Sequence, residues 1–153
     1  MKTLDITVTS IHEVNEKMKF LLAGRAKFTL KNEKTLNRYT FSVKLSHDVP
    51  GLYFVSLLIG NNNEFDYTYI GVLRKNGDKL NFYLTKKSKL TNDSVPVKVF
   101  NWLLKHIDNF PEEIKFYHEG CCARCGRTLT VPESIISGFG PECIKMIGDK
   151  LYE

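Results

Sequence analysis

All four cysteines of this 153-residue chain lie in its last third, and a histidine stands just ahead of them. The spacing is His118-x3-Cys122-x2-Cys125-x17-Cys143, with Cys121 beside Cys122. Zinc takes thiolate and imidazole ligands in a tetrahedron, and a C-x-x-C turn supplies two of them from one tight loop. Gly126, directly after Cys125, is the small residue that lets the backbone turn away. Cys143 is the remaining distant thiol. Gly138-Phe139-Gly140 breaks the preceding short helix, Pro141 fits the first position of a new one, and Cys143 falls in its first turn, where the helix dipole favours a thiolate. The fourth ligand is His118 or Cys121. His118 is preferred, because Glu119-Gly120 can fold the chain back, whereas Cys121 competes sterically with Cys122.

A closed shell of four protein ligands makes this a structural zinc rather than a catalytic one. The deaminase signature H-x-E fails because Gly120 stands where the acid should be, and no H-E-x-x-H occurs. His12, His47 and His106 are scattered, and no Ser/His/Asp or paired-carboxylate pattern stands out. The chain therefore reads as a non-enzyme.

A second chemistry lies upstream. Tyr39 and Phe41 stand near Arg38 and Lys44, Tyr67 and Tyr69 near Arg74, and Phe82 and Tyr83 near Lys86 and Lys87. Aromatics on a sheet can stack on unpaired bases while the neighbouring cations neutralise phosphates. The competing reading is that alternating aromatics are simply the core face. Arg124 and Arg127 on the cysteine-rich tail are further candidate phosphate contacts. Residues 1–47 hold nine Lys/Arg against four Asp/Glu, and residues 121–153 hold four of each. The pull on an anion thus comes from the N-terminal half, within a net charge of +5.

These residues need positioning elements. Residues 2–8 alternate and predict a short strand. Ser10 and Glu13 form a capping box, and Ile11, Val14, Met18, Leu21 and Leu22 recur at helical steps, predicting a helix from Ser10 to Ala23 that Gly24 ends. From Arg25 the period becomes two. Residues 25–31 and 38–45 predict a hairpin with a basic, threonine-bearing outer face, and 53–59 a central strand. Asn76-Gly77 joins a second hairpin, residues 67–74 and 79–85. A helix is predicted from Pro96 to Asp108 with a wide apolar stripe that packs across the sheet, and Ile114–Tyr117 is a last strand leading to His118. The expected fold is α+β, an antiparallel sheet packed by helices (1–117) with a zinc-knuckle or zinc-ribbon-like tail (118–153) docked on it.

The string from His118 through Cys122-Ala-Arg-Cys-Gly-Arg127, Leu129-Thr, Pro132-Glu-Ser-Ile135 and Gly138-Phe-Gly-Pro-Glu-Cys143 resembles a family of uncharacterised zinc-binding domains common in bacteriophage and mobile-element proteins. Phe20–Gly24, Lys27–Leu30 and Asp66–Gly71 are similar to phage proteins carrying such a tail. The resemblance implies Cys122, Cys125 and Cys143 as ligands with His118 as the fourth, and Cys121 as a departure. It lends no reaction.

Composition is that of an ordinary globular protein, 42% hydrophobic and 25% charged. No positively charged leader precedes an apolar run, and the most apolar window, Leu52–Ile59, is too short to span a bilayer. The expectation is a soluble protein of the (host) cytoplasm, where clustered thiols are metal ligands more often than disulfides. Two functions follow. The first is a zinc-stabilised phage accessory protein that binds nucleic acid through its sheet. The alternative is an inhibitor that binds a host or anti-phage defence protein. Oligomeric state is not readable from the sequence.

Overall fold

The computed structural model describes residues 13–14, 16–60, 66–77, 79–119, 121–126 and 138–139. The predicted strand over residues 2–8 and the segment around Cys143 lie outside these. Six strands dominate the described residues: β1 (Arg25–Asn32), β2 (Arg38–Leu45), β3 (Leu52–Leu58), β4 (Tyr67–Asn76), β5 (Lys79–Tyr83) and β6 (Ile114–His118). They form one antiparallel sheet in the order β5-β4-β3-β2-β1-β6. The two described helices are short, α1 (Lys17–Leu21) and α2 (Val95–His106).

This corrects the expected α+β class. The molecule is a curled six-stranded half-barrel, closer to all-β than to a sheet packed by helices. The main reason is the fate of the expected first helix. Glu13 forms an antiparallel bridge with Tyr117, and the Val14 N–H donates to the Phe116 carbonyl at 2.8 Å. A free sheet edge thus captures Glu13 and Val14, which the expected helix would have included. Of that helix's described residues only Lys17–Leu21 are helical, as α1, and residues 10–12 and 15 lie outside the described residues. Unpaired edge donors and acceptors are costly enough to override local propensity. A Lys115–Glu13 ion pair at 3.7 Å lies at the same junction.

The hairpins occur where the period of two placed them. At the β1–β2 turn, Asn32 Oδ1 accepts from the N–H groups of Lys34 and Thr35, an Asx-type turn. In β4, Ile70 is an extra residue, because Gly71 faces Val55 while Tyr69 faces Ser56. Such a bulge increases local twist and helps the sheet curl. Gly71 is needed for space, since a Cβ there would meet the Tyr83 carbonyl and the Phe82 ring.

β6 lies on the far side of β1 from β2, so the chain must cross the whole sheet after β5. α2, with twelve residues, is ~18 Å long, against a sheet width of roughly 24 Å for six strands. Its Val97, Phe100 and Leu103 are fully buried on the inner, concave face. Phe100 lies 5.2 Å from Phe41 and 4.8 Å from Phe82, ring to ring. The core continues through Phe28 and Phe116, stacked at 4.4 Å, to Phe20 of α1, 5.7 Å from Phe116.

Candidate metal centre and outer sheet face

The register Phe28↔His118 puts His118 at the end of β6 on the inner face, 2% exposed. Its ring stacks on Phe20 with centroids 6.4 Å apart. After Glu119, whose N–H donates to the Lys27 carbonyl, the chain reaches the cysteines. Cys122 is fully buried in the same core cluster as Phe20 and Phe28, and Cys125 packs against that cluster. The Gly126 N–H donates to the Cys122 carbonyl at 2.9 Å, and the Cys125 N–H points at Cys122 Sγ at 3.5 Å. Gly126 sits at φ +81°, the left-handed conformation that C-x-x-C-G needs to turn back.

Two tethers fix this turn. The Arg25 N–H donates to the Ala123 carbonyl at 2.7 Å, joining it to the start of β1. The Ala123 N–H donates to the Gly138 carbonyl at 3.0 Å, bringing in Gly138 and Phe139. Phe139, 2% exposed, lies 5.9 Å from Phe20. Gly138 therefore stands between the turn and His118: a Cβ there would lie 3.7 Å from His118 Cδ2 and 2.7 Å from Phe20.

Cys121 is a free thiol of intermediate burial, unlike the fully buried Cys122. Burial, with the nearby Glu119 carboxylate, pushes the Tyr67 hydroxyl well above the usual tyrosine range. Lys27 Nζ lies 5.3 Å from the Tyr67 ring. The Thr29 hydroxyl donates to Glu119 Oε2 at 2.8 Å and pairs with the Thr40 hydroxyl at 2.6 Å. Half the outer face of β1 and β2 is thus a buried polar cluster and not the exposed basic surface the sequence suggested.

Among the described residues no three His, Cys, Asp or Glu side chains gather into a group that could hold an ion. Cys143 lies outside the described residues, as does Arg127. No disulfide joins the described cysteines.

The aromatics divide. Phe41 is fully buried, and Tyr39 and Phe82 pack against the core cluster, so all three belong to the inner face and none stands on the outer one. Tyr83 is 48% exposed on the outer face. The sequence reading missed Phe54, because its strand looked uniformly apolar; it is 43% exposed and lies 6.5 Å from Tyr69. Ser56, two residues on, was the available signal that one face of β3 is not core. The registers align Arg25, Lys44, Phe54, Val72 and Tyr83 in one outer row across five strands. Arg74, exposed, belongs to the next row. Arg38 sits at the opposite end of β2 from Lys44, roughly 20 Å away. Lys86 and Lys87 occupy the exposed turn after β5, and Arg124 is half-buried in the cysteine turn. The structure therefore brings Lys44 and Arg74 beside exposed aromatics and leaves the other candidate cations dispersed.

Residues 115–148 match a family of unknown function, DUF6011. The match spans β6, the cysteine turn and Gly138–Phe139, the segment that carries the candidate ligands. Comparison with curated proteins and with solved structures found no match. Among the described residues no helix is long and apolar enough to cross a membrane.

Proposed function

We propose that this protein is a non-enzymatic, zinc-stabilised binder of single-stranded nucleic acid. The observation that carries the binding role is the outer row of Arg25, Lys44, Phe54, Val72 and Tyr83, with Arg74 beside it. Exposed rings on a rigid sheet stack on bases of any sequence, and cations at one end of the row take the phosphates. A duplex keeps its bases stacked internally and has nothing to give Phe54 and Tyr83, so single strands are preferred.

His118, Cys122, Cys125 and Cys143 are the ligand set we propose on sequence spacing, with Cys121 left out because it is less buried than Cys122. His118, Cys122 and Cys125 do not by themselves gather into a metal-holding group among the described residues, so the set depends on Cys143. Cys143 follows Phe139 by four positions, a stretch that reaches at most about 14 Å, and Phe139 is packed beside the cysteine turn. The zinc supplies cross-linking of β6 to the residues after it and no reaction. The tail's resemblance to bacteriophage and mobile-element domains is what supports reading it as a phage accessory protein acting in the host cytoplasm.

Fluorescence anisotropy with labelled single- and double-stranded oligonucleotides tests the reading. The expected result is tighter binding to single strands, with a slope of log affinity on log salt near about −2 from three phosphate contacts. No binding at low salt, or capture of a host protein that competes with the oligonucleotide on the same face, would replace this reading by the inhibitor one.

A further inference from the structure

We propose a second, separate binding site, for a small amphipathic carboxylate, in a cavity on the opposite side of the sheet. The cavity has a volume of about 370 Å³ and lies between α2 and the β1–β2 turn. That volume is within the range of small-ligand pockets. Leu30, Val95, Val99 and Ile114 make its apolar wall, with Tyr39 and Trp102 as aromatic sides. Leu30 belongs to the core and Tyr39 and Val99 pack against it, while Val95 is 56% exposed and Trp102 half-buried, so the cavity opens from the core toward solvent.

The charged side chains of the lining are two lysines, Lys31 and Lys98, and no acid is among them. Lys31 Nζ lies 3.7 Å from Glu33, which directs it away. Lys98 is exposed, and no described carboxylate pairs with it. The indole N–H of Trp102 and the Tyr39 hydroxyl likewise have no hydrogen-bond partner among the described protein groups. Asn32, Thr35 and Asn37 also line the cavity, and Asn32 Oδ1 and Thr35 Oγ1 already accept from N–H groups of the β1–β2 turn. What sets the ligand's charge is Lys98, the cation without a carboxylate partner among the described residues, which calls for an anion. An apolar body fills the wall, and one carboxylate meets Lys98. A polyphosphate would leave the apolar wall bare, and a cationic amphiphile would face Lys98.

Trp102 is the sole tryptophan of the chain, so its fluorescence reads the cavity directly. Full-length protein is titrated with octanoate and, separately, with octylammonium. Octanoate is expected to give a saturable change and octylammonium none. Lys98→Glu should weaken octanoate about tenfold or more, and Val99→Phe, which fills the wall, should abolish the change while leaving the thermal midpoint close to wild type. A response to octylammonium as strong as to octanoate overturns the carboxylate assignment. No saturable response to either, or octanoate binding that survives both variants, overturns the site. Oligonucleotide binding on the outer face is independent of each of these outcomes.

Discussion

Gly138→Ala is the perturbation that most directly probes how the cysteine turn is tied to the core. Gly138 has φ +80°, and a Cβ would sit 2.7 Å from Phe20 Cε2 and 2.9 Å from Cδ2. The left-handed backbone costs a non-glycine residue about 1–2 kcal/mol. Driving a methyl into a packed ring adds about 1–3 kcal/mol, so the variant should lose about 2–5 kcal/mol in all. Phe20 has little room to retreat, because Phe116, His118 and Phe139 surround it at 5.7, 6.4 and 5.9 Å. Gly77→Ala is the matched control: φ is +60°, and nothing lies within 4 Å of the new Cβ. It should show the backbone cost of about 1–2 kcal/mol alone. Urea unfolding at fixed zinc concentration measures both. Adding Phe20→Leu to Gly138→Ala should recover about 1 kcal/mol or more relative to the sum of the single variants. If Gly138→Ala costs no more than Gly77→Ala, the packing of Gly138 against Phe20 is wrong, and with it the link between the turn and His118.

Three further outcomes are expected. Phe54→Ala and Tyr83→Ala should each weaken single-strand binding by about 1–3 kcal/mol in anisotropy titrations, with urea midpoints nearly unchanged because both rings are exposed. Tyr53→Phe removes the hydroxyl that donates to the Leu22 carbonyl at 2.9 Å, at a cost of about 1–3 kcal/mol in urea melts at neutral pH. Burial also raises the Tyr53 hydroxyl above its ordinary value. The folded state therefore holds the proton more tightly, and this contribution is full below about pH 10 and lost as pH rises beyond it; stability measured from pH 9 to 11 should fall less steeply in Tyr53→Phe than in wild type. Gly71→Ala, with no backbone penalty from φ, should still destabilise through contact with the Tyr83 carbonyl and Phe82, read as a lower thermal midpoint.

Much of the sheet was legible in the sequence because period-two alternation and Asn76-Gly77 are local signals. Two features were not. Glu13 and Val14 carry a good helical pattern, and only the open edge of β6, set by a long-range pairing with β1, draws them into extended backbone. Local periodicity holds no record of that edge. Phe54 was hidden by its apolar neighbours, since a run such as Leu52–Leu58 does not say which of its faces lies over the core. On the outer face, Thr29 and Thr40 looked like solvent-facing residues, yet Glu119, ninety positions away from Thr29, closes over them. The candidate site was more readable. Alternation along β6 sends His118 into the core, whereas the choice between it and Cys121 as a ligand rests with zinc retention in Cys121→Ser. The composition of the tail carried the C-x-x-C-G turn, whereas the anchoring of that turn through Arg25 and Gly138 is visible only in three dimensions.

Native mass spectrometry of purified protein, wild type beside Cys121→Ser and Cys125→Ser, tests the central claim most directly. One zinc per chain is expected in wild type and in Cys121→Ser, and loss of it in Cys125→Ser. Wild-type protein without stoichiometric zinc, or a Cys121→Ser variant that loses it, would contradict the account.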